Sequence, residues 1–183
     1  MSDEWPKIRS RRVTALSPWM DVIERQVEFA PGAPLETYHS IGQRDYLAIL
    51  ALTPDGRIPI VRQYRPALET FTWELPAGLV DENENPTESC RRELMEETGF
   101  PARTIHLLGT AAPCTGRMSN RIHSFFVETG PHVVTFQPEP GLTIKLVTPN
   151  ELLRIIEVGE FIQQLHLGTL LLAELRSFIK FER

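Results

Sequence analysis

Glu93, Glu96 and Glu97 stand at positions i, i+3 and i+4 of the run Arg91-Arg92-Glu93-Leu94-Met95-Glu96-Glu97. On a helix this spacing puts all three carboxylates on one face. Like charges that close repel, by about 0.2–0.5 kcal/mol per exposed pair. A hard divalent cation, which takes oxygen ligands, offsets such repulsion. Arg92 stands four residues before Glu96 and can hold it by a charge-assisted bond. Taken alone, Glu96-Glu97 reads as a solvated acidic face, so the elements around it decide the matter.

The helix that must present these acids is well signalled. Asn85 can cap it, Pro86 suits the first helical position, Glu88 stands three residues after the cap, and Gly99 can end it. Cys90 and Leu94, four apart on an adjacent flank, can pack on a sheet. Upstream, the apolar run 46–53 reads as a buried strand, Pro54-Asp55-Gly56 as a hairpin turn, and 58–63 as the partner strand. A short strand at 71–74 runs into Pro76-Ala77-Gly78. Downstream lie strand-like runs at 105–111, 122–128, 133–136 and 143–148. A short helix opens at Asn150 and stops at Gly159, and a last helix spans Phe161 to about Phe181. Residues 5–45 are polar and irregular. Weak alternation over 19–29, a turn at Pro31-Gly32-Ala33-Pro34 and a return over 35–41 predict an N-terminal β-hairpin outside the core. The pattern predicts an α+β fold of layered α/β/α type.

Composition bounds the function. The 183 residues suit about one domain, with 42% hydrophobic and 23% charged residues as in globular proteins. The net charge is -5, without the basic excess of a sequence-independent nucleic-acid binder, so no nucleic-acid partner is expected. Cys90 and Cys114 form no disulfide framework, which fits a reducing compartment. No apolar run reaches the roughly 18 residues of a membrane helix, and Met1 to Trp5 lack a signal-peptide pattern. The expectation is a cytoplasmic protein with no membrane partner.

The spacing around the acids is specific. Gly78, Glu84, Arg92-Glu93-Leu94, Glu96-Glu97 and Gly99-Phe100 match G-x5-E-x7-R-E-U-x-E-E-x-G-U at every defined position, U being bulky and apolar. This is the Nudix box, over residues 78–100, and the chain resembles the Nudix hydrolases. The resemblance implies an α/β/α sandwich with a mixed β-sheet, the box forming loop-helix-loop. It implies hydrolysis of a nucleoside diphosphate linked to another moiety, with Mg2+ or Mn2+ as cofactor. Carried over by position, the metal ligands are Glu93 and Glu97, Glu96 directly or through water, and the carbonyl of Ala77. Arg92 and Glu84 are structural, as is Gly78. All four box glutamates are intact, which favours an enzyme over a non-catalytic nucleotide-binding module.

The flanks narrow the branch. Arg62-Gln63-Tyr64-Arg65-Pro66 and Trp73-Glu74-Leu75-Pro76-Ala77 resemble the ADP-ribose pyrophosphatase branch, which includes ADP-sugar and GDP-mannose hydrolases. The implied substrate is ADP-ribose or a related nucleotide sugar; NADH, a dinucleoside polyphosphate or an oxidised nucleotide are the alternatives. Arg62 and Arg65 can fork onto a diphosphate, or serve as surface charge near a strand end. Glu74 can touch a ribose or base, or brace a neighbouring element. Trp19 and Trp73 can stack on a base or belong to core or interface. Past the box, Gly116 aligns with a branch loop of form S-P-G-x-x-x-E, but Thr115 replaces the proline and Asn120 the glutamate. Arg117 and Asn120 there point to altered selectivity. In this branch a later loop supplies the base that activates water, and Glu139 is the only carboxylate between Glu128 and Glu151. Glu139 is therefore the candidate base, with Glu96 or metal alone as the other possibility. The resemblance also implies that residues 1–42 form a β-rich dimerisation segment, and 43–183 the hydrolase domain. A homodimer is expected, with Trp19 or its neighbours near the partner's nucleotide site.

Overall fold

A computed structural model describes residues 5–181. The chain divides into two compact units. One comprises the N-terminal residues to Arg44 together with 112–121; the other comprises 45–111 and 122 onward.

The first unit is a three-stranded antiparallel sheet of β1 (Lys7–Ser17), β2 (Met20–Glu28) and β3 (Glu36–Gly42), in that order. The sequence predicts the last two strands; β1 is an addition. It carries no alternation because it is exposed at nearly every position, so both faces tolerate polar residues. Segment 112–121 returns to this unit. Ile41 N–H donates to the Arg117 carbonyl at 2.7 Å, and Ser119 N–H to the Ile41 carbonyl at 3.0 Å.

The second unit holds two sheets. The larger, ordered β7-β4-β9-β8, is built from β4 (Tyr46–Leu52), β7 (Ala77–Leu79), β8 (Ala102–Ala111) and β9 (Ile122–Thr129). It is mixed: β4 runs parallel to β9 and antiparallel to β7. The smaller is antiparallel, with β5 (Ile58–Arg65) between β10 (Thr143–Val147) and β6 (Thr70–Glu74). Alternate residues of β4 and β9 feed two cores. Leu47, Ile49, Phe125 and Val127 pack with Cys90 and Leu94 of α1 (Pro86–Thr98). Leu50 and Phe126 pack with Leu152 of α2 (Pro149–Glu157) and Leu170 of α3 (Gln164–Leu175). Period-two strands between helices thus give the α/β/α layering.

Two elements differ from expectation. Residues 133–136 form a turn, not a strand, because Val133 N–H bonds the Gly99 carbonyl at 3.0 Å and Phe136 N–H bonds Val133. The last helix is shorter than 161–181: it begins after the extended Gln163, which makes no side-chain cap, and Ser177 at φ 61° breaks it after Arg176. Phe161 and Ile179 are still buried, as apolar anchors on either side. Among the described residues no helix is long and apolar enough to cross a membrane.

Candidate active site

The box helix is positioned by its ends and its buried flank. The Asn85 side chain accepts from Thr87 N–H at 2.8 Å, and Gly99, at φ 70°, closes the helix with its N–H on the Met95 carbonyl. Burying Cys90 and Leu94 turns the glutamates away from that core, and burial pushes the Cys90 thiol up to about 12.

Arg92 is the hub of this face. It donates to Glu84 at 3.1 Å, to Glu93 at 2.8 Å and to Glu96 at 3.1 Å. Ser89 Oγ also donates to Glu84, at 2.5 Å. The guanidinium is held above its ordinary value, first by Glu84, with burial opposing and Glu93 and Glu96 adding. Glu84 is held below the usual carboxylate range by Arg92 and then Ser89.

Glu97 and Glu93 shift the other way. Glu97 accepts the Ala77 N–H at 2.9 Å. Burial raises its carboxyl to about 8, with the Glu93 charge adding and the Ala77 bond opposing. Burial likewise raises Glu93, against the pull of Arg92. Gly78 makes room for this: a Cβ there would lie 2.2 Å from the Glu93 carboxyl carbon. Two crowded carboxylates that resist ionising alone, with only oxygen donors offered, suit a hard divalent cation. Among the described residues no three Asp, Glu, His or Cys side chains already converge on one point. Glu93 and Glu96 are held on Arg92 instead.

Alongside lies the β5–β6 ribbon. Arg65 forks onto Glu74, with Nε to Oε1 at 2.8 Å and Nη2 to Oε2 at 2.5 Å, and Thr72 donates to Glu74 at 2.5 Å. Glu74 is only 1% exposed. Burial raises its carboxyl, but the Arg65 and Thr72 bonds and the Arg65 charge prevail, and it stays below its ordinary value. Arg65 and Glu97 each feel the other's charge. Arg65, Glu74 and Glu97 therefore form one electrostatic cluster.

Arg62 is not part of it. Three residues along a strand reverse the side chain's direction, so Arg62 pairs across with Trp73 while Glu74 sits opposite Val61. Its guanidinium lies 4.4 Å from the Phe71 ring centroid. Glu139 is exposed in a turn, where its carbonyl accepts from Leu142 N–H at 3.1 Å. Trp19 and Arg117 belong to the N-terminal unit. Trp19 is 60% exposed with Arg44 over its ring, and Arg117 lies 5.3 Å from the Tyr38 ring centroid. Asn120 Nδ2 donates to the Arg44 carbonyl there.

Sequence reasoning missed Thr72, Ser89 and His166. Thr72 was detectable in principle, since it shares a strand face with Glu74. His166 lies 91 residues from its partner Leu75, so no local spacing points to it.

A NUDIX domain family description matches residues 42–165. An ADP-ribose pyrophosphatase of Bacillus subtilis is 35% identical over 45% of this chain and 44% of that protein. A CMP-5'-(N-acetyl-N-hydroxy-3-aminopropyl)phosphonate hydrolase of Streptomyces rubellomurinus is 30% identical over 66% of this chain and 58% of that protein. An ADP-ribose pyrophosphatase of Mycobacterium tuberculosis is 40% identical over 43% and 38%. The aligned region thus spans about half the length of these relatives. A solved structure described as an ADP compounds hydrolase superposes with a TM-score of 0.79 over 95% of both chains at 20% identity, a likeness of fold. With the domain match covering most of its length and every defined box position in place, the chain belongs to the Nudix hydrolase family.

Proposed function

We propose that this protein hydrolyses the pyrophosphate bond of ADP-ribose or a related nucleotide sugar. Water adds to one phosphorus, the P–O–P bond breaks, and a nucleoside monophosphate and a sugar phosphate leave. The observation that carries this reading is the pair of raised carboxyls, Glu93 and Glu97, held beside the Arg65–Glu74 fork. Mg2+ or Mn2+, held by Glu93 and Glu97 with Glu96 and the Ala77 carbonyl, would neutralise diphosphate charge and lower the pKa of a water. Arg92 keeps Glu93 and Glu96 oriented. Arg65 offers its remaining donors to the diphosphate. Glu139 is the carboxylate we assign to take the water's proton.

The named relatives act on adenosine- and cytidine-linked compounds, so the base must be read by assay. A panel of nucleoside diphosphate conjugates, tested with Mg2+ and with Mn2+, should release monoesterase-sensitive phosphate from a nucleotide sugar. Turnover confined to NADH, dinucleoside polyphosphates or oxidised nucleotides would refute the substrate class. E139Q should lower kcat and leave KM nearly unchanged; unchanged kcat would move the base elsewhere. We further propose a cytoplasmic homodimer in which residues 1–42 mediate assembly and bring Trp19 to the partner's nucleotide site. Light scattering at micromolar concentration should give twice the chain mass.

A further inference from the structure

Two backbone donors, one in the link between β6 and β7 and one at the first residue of β7, are met by side chains instead of a neighbouring strand. Ala77 N–H goes to Glu97 at 2.9 Å. Pro76 has no N–H, and its carbonyl accepts from Ile49 N–H at 2.9 Å. The Leu75 N–H, fully buried, goes to Nδ1 of His166 on α3 at 3.1 Å. His166 is itself 3% exposed, with the Phe161 ring beside it at 6.2 Å between centroids. A buried donor left without an acceptor is strongly disfavoured, so the segment sits where the imidazole puts it.

That segment carries both halves of the site. Glu74, immediately before Leu75, clamps Arg65; Ala77, two residues after it, holds Glu97. We infer that His166 is a positioning residue: as an obligate Nδ1 acceptor in the Nε2–H tautomer, it fixes residues 74–77 and so sets the spacing between Arg65 and Glu97. The acceptor role requires Nδ1 to carry no proton. Burial agrees, pushing the imidazole down to about 4, with the Glu74 charge opposing and Arg65 adding. The charged groups whose fields reach it are Glu74 and Arg65, both from the ribbon.

The test is a pair of variants read in two ways. H166N keeps an acceptor oxygen near the Nδ1 position; H166L keeps bulk without an acceptor. Amide hydrogen exchange needs no substrate, and it should show Leu75 and Ala77 protected in wild type and H166N. In H166L both should exchange at least about tenfold faster, while Leu94 in the α1 core stays protected. The kinetic arm rests on the hydrolase reading: H166L should lose about tenfold or more in kcat, and H166N should stay within about threefold of wild type. Equal protection of Leu75 in all three proteins would overturn the inference. So would H166N behaving like H166L, or H166L keeping wild-type kcat. Absence of turnover in wild type would sink the proposed activity and leave the exchange result to decide this one.

Discussion

The two faces of the β5–β6 ribbon are built from the same strands and do opposite things. One face carries Arg65, Glu74 and Thr72, locked by short hydrogen bonds and coupled to Glu97. The other carries Arg62, Tyr64 and Phe71, with both aromatic rings 48% exposed and packed edge to face at 5.4 Å. Each face has an arginine. One guanidinium meets a buried carboxylate, which fixes its plane and leaves donors for a second anion. The other lies on a ring, a contact worth about 0.5–1 kcal/mol at an exposed site. Charge, strand and sequence neighbourhood are shared; only the pleat separates site from surface.

The sharpest way to break this comparison is at the carboxylate to which the first face is coupled. E97Q keeps shape and removes a charge. It should cut turnover at least about a hundredfold, about 2.7 kcal/mol in transition-state stabilisation. Full turnover in saturating Mg2+ would detach Glu97 from the chemistry.

R65A comes next. It strands Glu74 in the interior and removes the proposed diphosphate contact. The expected loss is about tenfold in kcat/KM and about 2 kcal/mol in urea unfolding. That is below the roughly 3–5 kcal/mol of a fully buried pair, because Arg65 is 38% exposed. A stable protein with unaltered kcat/KM would show that the fork is ornamental.

The acid face also has a pH signature in metal-free protein. Glu97 rises from 4.5 to about 8 on folding, so its contribution is present below 4.5 and lost as pH climbs through 8. His166 falls from 6.5 to about 4, so its contribution is present above 6.5 and lost as pH falls through 4. Between about 4.5 and 6.5 the Glu97 and His166 slopes oppose each other; from 6.5 to 8 the Glu97 loss is no longer opposed by His166. Urea midpoints for E97Q should therefore fall less steeply than those of wild type from pH 6.5 to 8. An E97Q profile parallel to wild type would place the titration on another group.

The smallest effect is expected on the second face. R62A should leave kcat/KM within about twofold and stability within about 1 kcal/mol. A tenfold loss in kcat/KM would bring that face into substrate binding and erase the contrast.

Parts of this were legible beforehand. Asn85, Pro86 and Gly99 mark the box helix because capping is local chemistry. Cys90 and Leu94 mark its buried flank because helical periodicity is local too. The separation of Arg62 from Arg65 was also within reach, since an odd spacing on a strand always splits faces. Strand β1 was not, because a ribbon exposed on both sides has no reason to alternate. His166 was not, because its partner Leu75 is brought to it only by the packed fold. Arg92 was half legible: its reach to Glu96 follows from helical spacing, but its bond to Glu84 depends on how the preceding loop folds back.

The excursion of residues 112–121 between β8 and β9 has a consequence for cutting the molecule. The two units are joined by three peptide links, at 44–45, 111–112 and 121–122. A protease nick after Arg44 would not free the N-terminal sheet, because Ile41 would still be stitched to Arg117 and Ser119. The cut halves should co-elute and reassemble from separately expressed fragments. Deleting residues 1–42 is the harsher operation, since it leaves 112–121 as an orphan strap with its backbone partners removed. The natural seam for splitting this protein is a scission that keeps both pieces, not a truncation that discards one.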